Sequence, residues 1–198
     1  MADSKSLVNY SKSALIVWDL QYGIASKVAN LDSILANAKA LIEACHNVGR
    51  PVFFSQSTGL SYGFQSPYMR YWLAKRGIDP KIPRMLEGSG EWKIIKEIEP
   101  SGEDFVLKKA TQSFFVGTNL EQLLRNSGIE CIIIAGVSTE VGVEATARHG
   151  AQIGFVPVIA EDAIGSSDKQ LHEASLAVMR KLFEVKPTKE ILNQIHTS

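Results

Sequence analysis

The sequence predicts an α/β fold: three layers, α/β/α, around an open, mostly parallel, Rossmann-like sheet. Two observations carry this. Short apolar runs alternate with amphipathic helical patterns along the chain, the order that builds a parallel sheet covered by helices. Runs such as Ile132-Ile133-Ile134 are apolar at every position, as expected of strands buried on both faces. At 198 residues the chain reads as one domain, 1–198.

The first strand is Ala14-Leu15-Ile16-Val17-Trp18, which puts Asp19 at its C-terminal end. Leu31, Ile34, Leu35, Ala38, Leu41, Ile42 and Cys45 then recur at steps of three and four, closed by Gly49, and predict an amphipathic helix. Further strands are predicted at 51–54, 104–107, 131–136 and 155–159, with helices at 120–126, 141–152, 169–183 and 188–195. The stretch 61–90 fits no strand–helix unit. A helix at 66–75 carries Tyr68, Tyr71 and Trp72, and the rest reads as an insertion acting as a lid or an oligomer contact.

Composition narrows the function. With 45% hydrophobic and 21% charged residues the chain has material for a core. Lys plus Arg and Asp plus Glu are 21 each, so no net field attracts nucleic acid. The apolar stretch 153–160 is far short of the roughly 20 residues of a membrane span. The polar start Met1-Ala2-Asp3-Ser4-Lys5 and the two distant cysteines, Cys45 and Cys131, suit a reducing, cytoplasmic location, both thiols being read as buried and structural. Bulky residues follow the first strand where a dinucleotide fingerprint needs glycine. His46, His149, His172 and His196 all fall on helices without zinc spacing. The expectation is a small-molecule substrate, no cofactor and no metal.

In an open parallel sheet, ligands bind beyond the carboxyl ends of the strands, here Asp19, 55–59, 108–113 and 137–142. One carboxylate, Asp19, and one of two adjacent lysines stand there; strand alternation sends Lys108 and Lys109 to opposite sides, so one faces Asp19. After the fourth strand, Gly136-Val137-Ser138-Thr139-Glu140-Val141-Gly142 turns into a helix with Ser138 or Thr139 as cap and free amides for an anion. Gly142 in its first turn costs about 1 kcal/mol relative to alanine if interior, which implies that a ligand or neighbouring backbone needs the space.

These residues resemble the isochorismatase-like hydrolases, the cysteine hydrolase superfamily. The resemblance rests on Val17-Trp18-Asp19-Leu20-Gln21, on Lys109 with Ser113 and Phe115, on Gly117-Thr118-Asn119-Leu120, and on Gly136-Val137-Ser138-Thr139 running into Glu144-Ala145-Thr146-Ala147-Arg148. It implies a six-stranded parallel sheet, a homodimer or homotetramer, and a cis peptide between Val137 and Ser138. It also implies catalytic roles for Asp19 and Lys109, with Gly142 where amidase members carry the nucleophilic cysteine, and substrate contacts from Gln21, Gln56, Gln112, Val137, Ser138 and Val141. A glycine-bearing branch of this kind resembles the true isochorismatases, in which an aspartic acid protonates the vinyl carbon of an enolpyruvyl ether and water attacks the resulting cation. Gln112 and Ser138 stand where those enzymes tend to have tyrosines, and Ser57, beside Gln56, where they have glutamine. Two readings follow: a metal-independent hydrolase of a small carboxylated substrate, or a catalytically silent member serving as a ligand-binding or scaffold oligomer.

Overall fold

The computed structural model describes residues 7–197; the N-terminal segment 1–5 on which the expected compartment partly rests lies outside them. Six strands form one sheet: β1 (Ser13–Trp18), β2 (Val52–Ser57), β3 (Phe105–Lys109), β4 (Cys131–Val137), β5 (Val156–Gly165) and β6 (Glu184–Lys186). Their order is β3-β2-β1-β4-β5-β6, and every pair is parallel. The helices are α1 (Tyr22–Ala25), α2 (Leu31–Asn47), α3 (Pro67–Lys75), α4 (Leu120–Asn126), α5 (Glu144–Gln152), α6 (Lys169–Leu182) and α7 (Thr188–Thr197).

Alternation along the strands divides the core in two. Leu15, Val17, Ile133 and Ala135 meet the stripe of α2 and Ile191 and Ile195 of α7. Ala14, Ile16, Ile132 and Ile134 meet Leu120 and Leu124 of α4, Ala147 of α5, and Leu176 and Met179 of α6. Because β1 and β4 are buried at every position, they show no polar face, and the unbroken apolar runs in the sequence are explained. Helix starts are fixed locally: Asp168 accepts from the amides of Gln170 and Leu171 to start α6, and Ser66, followed by Pro67, accepts from Met69 to start α3. Among the described residues no helix is long and apolar enough to cross a membrane.

Several elements differ from the sequence reading: β2 runs on to Ser57, past the expected 51–54, and the short α1 was not expected. β3 runs to Lys109, so the lysine closes the strand instead of following it. β5 continues to Gly165, past Glu161 and Asp162, with a register shift against β4 between Ile134 and Gly136. β6 is only Glu184-Val185-Lys186, too short and too charged for a periodicity signal. The helix expected from Val141 begins as a wider π turn, Thr139–Val143, before α5 takes over at Glu144.

Candidate active site

From β1 the chain builds outward to β2 and β3, then returns to place β4 on the other side of β1. The connections after β1 and β4 therefore leave in opposite directions and open a crevice at their carboxyl ends. A cavity of about 390 Å³ lies there, lined by Trp18, Asp19, Lys109, Val137, Ser138 and Gly142 among others.

At its floor Asp19 is in a left-handed conformation, φ 43°, which aspartate enters more readily than most residues. Both of its carboxylate oxygens are engaged. Lys109 Nζ donates to Oδ2 at 2.7 Å, and Ser55 Oγ donates to Oδ1 at 2.6 Å while accepting from the Asp19 amide at 3.0 Å. The pair is buried, its side chains 3% and 8% exposed, so its Coulomb attraction is weakly screened. The register that sets Ser57 opposite Lys109 brings the three residues together. Lys108, on the other side of the strand, meets Glu87 and the Trp92 ring.

Gly142 is needed, though neither by a ligand nor by neighbouring backbone. A Cβ built on it would fall on Nε1 and Cε2 of Trp18. The indole lies edge-on to Phe114 at 5.8 Å and carries Lys109 Nζ 4.1 Å from its centroid, a cation–π contact. Trp18 thus takes the volume into which any side chain at position 142 would project. The carbonyl of Trp18 is likewise packed against Gly136, which has φ 123° and no room for a Cβ.

The helix start differs in detail from expectation. The Val137–Ser138 peptide is cis. Ser138 stands at the cap position without a side-chain cap bond. Its carbonyl accepts from the amides of Val141, Gly142 and Val143 at 3.3, 3.1 and 3.3 Å, so those three are engaged and not free for an incoming anion. Thr139 does not cap either: its buried hydroxyl is 2.8 Å from His172 Nδ1 on α6.

Of the remaining expected residues, Val141 and Gln112 line the cavity, and Gln112 Oε1 accepts from Tyr68 OH at 3.2 Å. Gln21 and Gln56 do not line it. Gln21 Nε2 donates to the carbonyls of Ser57 and Trp92, and its Oε1 accepts from the Ser57 amide; Gln56 Nε2 donates to the Trp92 carbonyl. Their amides tie β1 and β2 to the segment around Trp92, so they position the wall instead of facing a ligand.

Sequence reasoning missed the part played by Trp18, named Ser55 only as one of the edge residues 55–59, and expected a lid in 61–90 without its basic residues. The 61–90 segment supplies Phe64, Met69, Trp72, Ile82, Arg76 and Arg84 to the cavity, and Lys27 reaches it from the end of α1. Among the described residues no carboxylate forms an ion pair with Lys27, Arg76 or Arg84; Arg76 instead stacks over Trp72 at 4.9 Å. A signal was available, since 61–90 holds five basic and two acidic residues in a chain that is neutral overall. The thiols sit in the core, where burial pushes both Cys45 and Cys131 up to about 12. Among the described residues no three His, Cys, Asp or Glu side chains group as metal ligands.

Comparison with known proteins gives consistent relatives. The Isochorismatase domain profile matches residues 13–190. The uncharacterized isochorismatase family protein YecD of Escherichia coli O157:H7 is 31% identical over 192 residues, covering 95% of this chain and 98% of that protein. The ureidoacrylate amidohydrolase RutB of Pantoea ananatis is 31% identical over 176 residues, covering 77% of this chain and 68% of that one. A cysteine hydrolase from Pseudomonas syringae pv. phaseolicola 1448A shares the fold, with a TM-score of 0.83 at 21% identity over 96% of this chain and 95% of its own.

Proposed function

Because the chain belongs to the isochorismatase family, we propose that this hydrolase cleaves the vinyl ether of a small carboxylated substrate, with Asp19 as proton donor, without a metal and without a covalent intermediate. The observation that carries the reading is a buried acid–ammonium pair, Asp19 and Lys109, in a cavity where Trp18 occupies the place of any side chain on position 142. A covalent route needs an activated nucleophile at the reacting carbon, and neither thiol of the chain lines this cavity.

In the proposed reaction Asp19 adds its proton to the terminal vinyl carbon, the double-bond electrons forming the new C–H bond. The ether oxygen shares the positive charge left on its carbon, and water adds there. The proton lost by that water returns to the Asp19 carboxylate, and the hemiketal expels the alcohol to leave a keto acid. Lys109, 2.7 Å away, balances the charge on Asp19 when its proton has left. The unpaired Lys27, Arg76 and Arg84 on the walls favour a negatively charged ligand, and the 61–90 segment acts as the lid that brings the two arginines over it.

The test is Asp19→Asn measured against a panel of enolpyruvyl ethers in chelator. Turnover by the wild type and its loss in the variant, with ligand affinity kept, is the expected result. Undiminished turnover in Asp19→Asn removes Asp19 as the acid. A wild type inert on the whole panel, and on small amides, favours the silent ligand-binding role instead.

A further inference from the structure

Trp18 holds a polar group for which the protein itself has no use. The residue is 2% exposed and lines the cavity. Of the other two indoles, Trp92 Nε1 donates to Thr58 Oγ1 at 2.9 Å, while Trp72, half-buried in the roof under Arg76, has no described acceptor either. No described residue accepts a hydrogen bond from Trp18 Nε1, although the nitrogen edge is the part that lies over Gly142. Indole N–H groups in protein interiors ordinarily find a partner. Nor is this nitrogen among the described buried side-chain atoms sealed from solvent without a partner. It therefore reaches the cavity, where an acceptor brought by a ligand would meet it.

The surroundings say which acceptor. The amides of Val141, Gly142 and Val143 are already turned onto the Ser138 carbonyl, so the helix start does not offer them. Lys109 Nζ lies 4.1 Å from the centroid of the same ring, with one bond to Asp19 and, as an ammonium, two further hydrogens. An oxygen pair at the indole edge would meet a neutral donor from Trp18 beside the field of Lys109, which suits a carboxylate better than a neutral carbonyl.

We propose that Trp18 is a substrate-binding residue whose indole N–H receives one carboxylate oxygen of the substrate, so that it selects the free acid over its ester and turns the adjoining carbon toward Asp19. This rests on the vinyl ether reading for the identity of the substrate, while the binding role stands on Trp18, Gly142 and Lys109. A hydrogen bond to a charged group is worth about 1.5 to 3 kcal/mol. Its loss weakens binding of the acid roughly tenfold to hundredfold and leaves the ester unaffected.

The probe is pyruvate, the keto acid such a reaction releases, with methyl pyruvate as its uncharged counterpart. In ¹H–¹⁵N spectra the three tryptophans give three indole signals, and Trp18→Phe identifies one by deleting it. Pyruvate is expected to move the Trp18 indole proton downfield and methyl pyruvate to leave it in place, with Trp18→Phe binding the two alike. The proposal is overturned if pyruvate shifts backbone amides around the cavity and not this indole, if it binds nowhere at tens of millimolar, or if a folded Trp18→Phe keeps wild-type affinity. If Trp18→Phe does not fold, the Trp18 signal is assigned by elimination from Trp72→Phe and Trp92→Phe, and the spectrum of the unmodified protein then gives the test. Turnover separates the two claims. Protein inactive on every vinyl ether with the indole shift intact refutes the reaction and keeps Trp18. Turnover abolished by Asp19→Asn but within twofold in Trp18→Phe refutes Trp18 and keeps the reaction.

Discussion

Lys109 has its ammonium between the Asp19 carboxylate at 2.7 Å and the face of Trp18 at 4.1 Å. Removing one member of such a buried pair leaves the other charge without compensation, which costs about 3 to 5 kcal/mol. Lys109→Met is therefore expected to lower the urea midpoint by that equivalent at unchanged slope, and to abolish turnover. Ser55→Ala removes the donor to Asp19 Oδ1 and the acceptor of the Asp19 amide together, for a loss of about 1 to 3 kcal/mol in the same measurement. Asp19 and Lys109 were legible in the sequence because each stands at or just past the end of an apolar strand. Ser55 fell within the expected edge 55–59, but its bond to Asp19 was not legible, because a serine inside a strand carries no sign of its partner until the register between β1 and β2 is known. Gln21 misled for the related reason that a buried glutamine bonded to backbone and one facing a ligand look alike in sequence.

At the level of elements, the strands buried on both faces and the striped helices declared themselves, while those whose residues answer to tertiary neighbours did not. β5 carries Glu161 and Asp162 in its second half, where Asp162 Oδ1 accepts from the amide and hydroxyl of Thr188 and Glu161 pairs with Arg180. Those partners are supplied by α7 and α6, not by local sequence. The π turn Thr139–Val143 makes a sharper case. Intrinsic propensity says that Gly142→Ala should stabilise its helix by about 1 kcal/mol, whereas overpacking against Trp18 should cost about 1 to 3 kcal/mol. Sterics is expected to win, and a thermal scan showing Gly142→Ala less stable than wild type checks the sign.

Across the whole molecule, three buried acids tie stability to alkaline pH. Burial is the first cause of the raised values of Cys45 and Cys131, both about 12, and of Tyr10, also raised. An unfolded thiol loses its proton near pH 8.5, so between about pH 8.5 and 12 the folded chain binds more protons than the unfolded one, and stability falls as pH rises. The slope approaches about 1.4 kcal/mol per pH unit for each thiol and is absent below pH 8. Urea midpoints under reducing conditions should therefore drop steeply above pH 9, and less steeply in Cys45→Ala/Cys131→Ala. The same buried thiols should leave native activity insensitive to iodoacetamide at pH 8. The interlock of Trp18 with Gly142 carries a consequence for the history open to this chain. A side chain gained at 142 collides with the indole, and an indole lost first leaves a void, so each single step should lower stability while Trp18→Val/Gly142→Cys together restores a fillable volume. Reciprocal epistasis between the two positions is the expected result, read in a double-mutant cycle of thermal midpoints as a pair that costs less than the sum of its singles.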